Sequence, residues 1–246
     1  IEGADLIIDE VMTNITFQYN ASAASGSGST TTNGNGSTWQ VTDINTGSGG
    51  DSNPGFNIKM LLGDTIYFDA EDGTGKELWA HDNSNHSTWQ VSSFSNYNPD
   101  PGQNMGMVVG DTLYFDATDG TSGTELWAHD ISNHSTWQVA DINSGGFSSN
   151  PGYHMGVVVV GDTLYFDAYS PGNGYQVWAH DTSNHSTWQT PSTFSSGGSS
   201  IGNLMVLVVG DTLYFNAELN DGHELWAHDT SNHSTWQVAD IRSGSS

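Results

Sequence analysis

Between residues 105 and 142 the side chains alternate instead of following a helical stripe. Thr112, Tyr114 and Asp116 interleave with Leu113, Phe115 and Ala117, a period of two rich in β-branched and aromatic residues, which predicts a strand. The same pattern predicts four short strands here, at residues 105–109, 112–118, 125–130 and 135–142. Gly110 and Asp111 form a two-residue link suited to a tight hairpin. Residues 119–123 join the second strand to the third, and residues 131–134 join the third to the fourth. No stretch carries a helical stripe of useful length, so an all-β fold is predicted.

The unit recurs. Gly110–Asp111–Thr112–Leu113–Tyr114–Phe115–Asp116–Ala117 reappears from Gly63, Gly161 and Gly210, with Ile66 and Asn216 as the small changes. Glu125–Leu126–Trp127–Ala128–His129–Asp130 reappears from Glu77 and Glu224, and in altered form as Gln176–Val177–Trp178. Asn133–His134–Ser135–Thr136–Trp137–Gln138 reappears from Asn85, Asn184 and Asn232, and as Asn35–Gly36–Ser37–Thr38–Trp39–Gln40. These asparagines lie 50, 48, 51 and 48 residues apart. Five units of about 49 residues follow, approximately 1–44, 45–94, 95–142, 143–193 and 194–246, the first divergent. Loops rich in Gly, Ser, Asn and Pro separate them, with Asn-Pro-Gly turns at residues 53–55 and 150–152. A four-stranded antiparallel unit at this period is the sequence form of a propeller blade, so one five-bladed β-propeller domain is predicted. In the first blade, residues 21–36 are rich in Ser, Thr and Gly where the Glu-Leu-Trp block belongs.

A lone sheet of this composition would expose apolar side chains on both faces. Residues 157–160 and 204–209 are continuously apolar, as expected where a blade is covered on each side by a neighbour. Five blades around an axis close the circle, whereas an open stack would want polar caps, and the last unit ends on the repeat's own strand. Residues 1–8 read either as the innermost strand of blade one or as a strand that pairs with an edge of a neighbouring molecule.

The blocks Gly-Asp-Thr-Leu-Tyr-Phe, Asp-Gly-Thr-x-Gly-x-Glu-Leu-Trp and Ser-Thr-Trp-Gln-Val-Ala-Asp-Ile resemble the Glu-Leu-Trp/Asp-Gly-Thr type repeats of secreted and cell-surface proteins of bacteria and archaea. The resemblance covers about four-fifths of the chain and implies a propeller, a secreted or surface setting and no particular activity. In blade count the chain is similar to five-bladed lectins of the tachylectin-2 type, without their sequence motifs; that likeness is architectural, and architecture does not give function.

Composition narrows the chemistry. With 28 Asp and Glu against 3 Lys and Arg the net charge is −25, which excludes phosphate-clamping contacts to nucleic acid. The absence of cysteine excludes disulfides, Cys-ligated zinc and thiol catalysis. No apolar run approaches the ~20 residues that span a bilayer as a helix. Nine Trp, nine Tyr and nine Phe argue against disorder. The sequence begins at Ile1 with no basic-then-apolar leader, so a leader is expected to have been removed or to lie outside it.

Seven Asn-x-Ser/Thr sequons stand at Asn14, Asn20, Asn35, Asn85, Asn133, Asn184 and Asn232, five of them in one register of the repeat. A sequon on an exposed turn of a secreted chain is an N-glycosylation acceptor. The competing reading is copied turn chemistry, since Asn tolerates left-handed backbone and Ser bonds locally. N-linked glycans are the expectation.

Other candidate chemistry is repeated as well. The pairs His81/His86, His129/His134, His180/His185 and His228/His233 read as transition-metal ligands across a turn or as copied hairpin residues. The clusters Asp69, Asp72, Glu77 and Asp116, Asp119, Glu125 offer oxygens to Ca²⁺ or are solvated hairpin acids. Trp79, Trp127, Trp178 and Trp226, with Trp39, Trp89, Trp137, Trp188 and Trp236, read as sugar platforms or, more commonly, as packing between blades. Catalysis needs unlike groups placed asymmetrically, and the residues unique to one copy, His154, His223 and Lys59, form no evident constellation, so no enzyme is expected. The expected function is that of an extracellular, glycosylated structural protein, the self-assembling subunit of a surface fibre or sheath. The alternative is a carbohydrate-binding propeller with equivalent pockets in the loops at residues 45–57, 93–104, 143–153 and 191–203; those loops vary more than the strands, which counts against it.

Overall fold

A computed structural model describes residues 31–32, 37–48, 50–92, 94, 98–191, 201–218 and 222–241. The chain divides into two compact units, Ile1–Val41 and Thr42–Ser246. In the first, β1 (Thr31–Thr32) pairs antiparallel with β2 (Ser37–Thr38). The second holds sixteen strands in four antiparallel sheets, with no helix among the described residues. Sheet one comprises β3 (Lys59–Leu62), β4 (Thr65–Glu71), β5 (Lys76–Asp82) and β6 (Ser87–Gln90). Sheet two comprises β7 (Gly106–Val109), β8 (Thr112–Thr118), β9 (Thr124–Asp130) and β10 (Ser135–Ala140). Sheet three comprises β11 (Val157–Val160), β12 (Thr163–Ser170), β13 (Gly174–Asp181) and β14 (Ser186–Gln189). Sheet four comprises β15 (Val206–Val209), β16 (Thr212–Glu218), β17 (His223–Asp229) and β18 (Ser234–Ala239). In each sheet the strands lie side by side in chain order. Four such sheets, not five, are present among the described residues, and no sheet closes on itself. The remainder of the expected first blade, including residues 1–8, lies outside the described residues.

The period of two sorts side chains onto two faces, and each face meets a different neighbour. In β11, Val157 and Val159 pack into a core with sheet two, whereas Val158 and Val160 pack into a core with sheet four. This is why that strand is apolar throughout. The second strands follow suit: Tyr67 meets Leu113 and Phe115, Tyr114 meets Leu164 and Phe166, and Tyr165 meets Leu213 and Phe215. Three interfaces of one design therefore join sheets one to two, two to three and three to four. Burying a large apolar side chain contributes roughly 1.5–3 kcal/mol, so these interfaces, not any single sheet, hold the fold.

Buried acids fasten the linkers. Asp116 on β8 is fully buried and its Oδ1 accepts the backbone N–H groups of Asn104 and Met105 at 2.9 Å each. Asp69 does the same for Asn57 and Ile58, Asp167 for His154 and Met155, and Asn216 for Leu204 and Met205. A side chain accepting two N–H groups fixes where the chain enters each sheet. The turn before it is tight: Gly102 has φ +72°, and a Cβ there would stand 2.5 Å from Cβ of Ile58 in the preceding sheet.

Candidate functional site

The antiparallel order puts two kinds of loop at opposite ends of every sheet. One end carries the turns between first and second strands and between third and fourth strands. The other carries the linkers and the loops between second and third strands. The repeated sequons and histidine pairs sit at the first end; the repeated acidic clusters and the copy-specific chemistry sit at the second.

At the first end, Asn85, Asn133, Asn184 and Asn232 are exposed on the third-to-fourth turn of their sheets. Each turn is closed by an aspartate. Asp130 Oδ1 accepts the N–H and the hydroxyl of Ser132 at 2.8 and 2.6 Å, and Oδ2 accepts Nδ2–H of Asn133 at 2.8 Å. Asn133 Oδ1 in turn accepts the N–H of Ser135 at 2.9 Å. Asp82, Asp181 and Asp229 repeat the arrangement. Bonds from the serines hold all four aspartates below the usual carboxylate range. The left-handed residue is the histidine, with φ between 58° and 60° at His86, His134, His185 and His233, and not the asparagine, which acts through its side chain. The first copy has Gly36 at this position, the residue to which such backbone costs nothing. Asn14, Asn20 and Asn35 lie outside the described residues.

The histidine pairs are packing groups. His129 Nδ1 lies 2.9 Å from Thr136 Oγ1, and its ring lies 5.7 Å from that of Tyr67 in the preceding sheet. His180 meets Tyr114 and His228 meets Tyr165 in the same way. Burial pushes these three imidazoles down to about 4, so they are neutral at ordinary pH. The second histidine of a pair, at a ring distance of about 6.4 Å, packs edge-on against a tryptophan of the preceding sheet in Trp89–His134 and Trp188–His233. Trp89, Trp137 and Trp188 all line inter-sheet cores.

The acidic clusters separate into three tasks. Asp116 fastens its linker, Asp119 closes its own turn through Thr121 and Ser122, and Glu125 accepts N–H groups of Ile142 and Ser149 and the Ser149 hydroxyl. Burial pushes Asp116, Glu77 and Glu125 up to about 7, against the pull of these bonds. Hydrogen bonds from Ser122 and Thr121 outweigh burial at Asp119 and lower it to about 2. Among the described residues no three His, Cys, Asp or Glu side chains are gathered to hold a metal ion.

At the second end one expectation is corrected. Lys59 bonds the Gly55 carbonyl and His223 lies 3.3 Å from Asn216, but His154 belongs to a constellation. Its Nδ1 is 2.8 Å from Oδ2 of buried Asp167, and its ring stands edge-on to Tyr153 and Tyr175 at 4.8 and 4.4 Å. Tyr153 and Tyr175 stack at 5.8 Å, and Tyr169 meets Tyr175 at 5.6 Å. Cross-strand pairing brings Tyr169 beside Tyr175, and Tyr153, on the linker before β11, reaches Tyr175 through the ring contact.

No family model matches the sequence and no curated protein is similar to it. Among solved structures the chain is similar to a puromycin hydrolase S511A mutant complexed with PGG (10% identity, TM-score 0.51, 72% of this chain and 27% of that one). It is similar as well to a Mycobacterium tuberculosis puromycin-hydrolyzing peptidase (9%, 0.50, 76% and 29%) and to TolB from Acinetobacter baumannii (14%, 0.43, 72% and 41%). The chain thus spans well under half the length of each. At such identities the likeness bears on fold alone, and the two matches at TM-scores of 0.50 and 0.51, together with the sheet layout, mark the chain as propeller-like.

Proposed function

We propose that the protein is an extracellular, glycosylated structural subunit that assembles with copies of itself into a fibre or sheath, with no enzymatic role. One observation carries this reading. Among the described residues, the outer faces of sheets one and four carry exposed apolar side chains, and each resembles half of an interface that the sheets already make three times. On sheet four, Leu207 is 55% exposed and Trp236 41% exposed, although their counterparts Val158 and Trp188 pack into cores. On sheet one, Leu61 is 54% exposed, although its counterpart Val159 packs. A face that fits what the other face offers gives head-to-tail contacts, which propagate. Residues 1–44 supply a fifth repeat by sequence, and residues 1–8, added strand to strand to an edge of a neighbouring copy, would link one molecule to the next.

The glycan reading is supported by the turns. An asparagine amide has two hydrogens, of which the aspartate takes one, so a sugar on Nδ2 of Asn85, Asn133, Asn184 or Asn232 leaves the turn bond intact. Sugars there would shield strand ends from unwanted pairing. Two measurements test the reading. Electron microscopy of native material is expected to show filaments, and single particles at all concentrations would contradict assembly. Intact mass is expected to exceed that of the bare 246-residue chain, and equality would contradict glycosylation.

A further inference from the structure

We infer that the Tyr153–His154–Tyr175 constellation is a binding site for a neutral sugar ring, one per chain and separate from the faces that join copies. The repeat itself is the control. Aligned on Gly55, Gly102, Gly152 and Gly202, the position of Tyr153 holds Phe56, Gln103 and Asn203 in the other sheets, and that of His154 holds Asn57, Asn104 and Leu204. The cross-strand pair Tyr169–Tyr175 is Glu71–Lys76, Thr118–Thr124 and Glu218–His223 elsewhere. Four departures from the repeat meet at one spot in sheet three.

The fold does not need them. Asn104 gives buried Asp116 the side-chain bond that His154 gives Asp167, at 2.8 Å in each case. Nor do Tyr153 and Tyr169 serve a core, since they are 60% and 38% exposed. Aromatic surface held in water by edge-on and stacked neighbours is a preformed platform, and its burial by a ligand is favourable.

The geometry selects the ligand class. Tyr175 stacks beside Tyr153 at 5.8 Å and an interplanar angle of 21°, and Tyr153 remains 60% exposed, so flat aromatic surface stays open to water next to Tyr175. A caged cation requires several rings converging on one point, whereas a pyranose lays the C–H groups of one face on one ring and turns its hydroxyls outward. Partners for hydroxyls stand at the rim: His154 Nε2, the Tyr175 hydroxyl and Nδ2 of Asn150, the last two 3.5 Å apart. Nδ1 of His154 is held by Asp167, which fixes the ring and so the direction of Nε2.

The experiment presents the full chain to an array of neutral oligosaccharides and follows the best ligand by calorimetry. Wild type is expected to bind at least one class at one site per chain, with affinity unchanged by salt because no charge pair is involved. Tyr153→Gln and His154→Asn install the residues that sheet two carries, so each is expected to melt like wild type. Tyr153→Gln is expected to lose about tenfold or more in affinity, as removal of a stacking ring does. Tyr153→Phe keeps the platform and is expected to retain binding. Failure to bind any neutral sugar overturns the proposal. So does binding that survives Tyr153→Gln, or tetramethylammonium binding in place of sugars. Filaments without sugar binding would overturn this inference and leave the structural role standing, and sugar binding without filaments would do the reverse.

Discussion

Single residues show where the repeat stores strain. His185 has φ 59°, a conformation that costs an L-residue roughly 1–2 kcal/mol. His185→Gly and His185→Ala remove the same ring and differ only in backbone, so the glycine variant is expected to be the more stable by about 1 kcal/mol in denaturant unfolding. Gly102 gives the opposite test. Gly102→Ala combines positive φ with a Cβ 2.5 Å from Ile58, and a loss of about 2–4 kcal/mol is expected in the same measurement. The sequence pointed to left-handed backbone in the sequon turn but favoured Asn, because Asn is the usual tenant of that region. The deciding clue was Gly36 opposite His86, His134, His185 and His233, read as a departure from the pattern when it marked what the position demands.

At the scale of the element, strands were legible because a period of two with hairpin signals at Gly110–Asp111 admits little else; β8 spans the predicted residues 112–118. What strands do to one another across copies was not legible, because Tyr67–His129 and its two counterparts join residues a repeat apart. The constellation around His154 lies within one copy and was hidden because it joins a linker residue to the Tyr169–Tyr175 pair across a strand and a loop. These contacts have a pH signature. Glu77, Asp116 and Glu125 keep a proton in the folded chain up to about 7 that the unfolded chain releases in the ordinary carboxylate range, so their contribution to stability falls as pH rises through that window. His129, His180 and His228 stay neutral down to about 4 although the unfolded chain takes protons near pH 6.5, so their contribution falls as pH drops through nearly the same window. The two trends oppose, and the melting temperature is expected to be nearly level between about pH 4.5 and 6.5. Glu125→Gln, which copies Gln176 of sheet three, removes one carboxyl trend. That variant is expected to lose about 1–2 kcal/mol on acidification across the window where wild type holds level, as thermal melts at several pH values would show.

For the whole molecule, stability and assembly draw on the same design of interface. Val158 and Leu207 occupy the same place in their sheets, the first inside an interface and the second on a free face. Val158→Glu is expected to destabilise the chain by several kcal/mol, about the cost of an unpaired buried charge. Leu207→Glu is expected to leave the melting temperature of the isolated chain nearly unchanged and to abolish association. Serial stacking of sheets could be foreseen from the repeat and from the unbroken apolar run at Val157–Val160. How the outermost faces are covered could not, because the first copy departs from the pattern where its third strand belongs.

The most direct test is electron microscopy of concentrated wild-type protein beside Leu207→Glu. Filaments from wild type and dispersed particles from the variant, with equal melting temperatures, are the predicted result. Dispersed particles from both, or filaments from both, would contradict the assembly of copies through these faces.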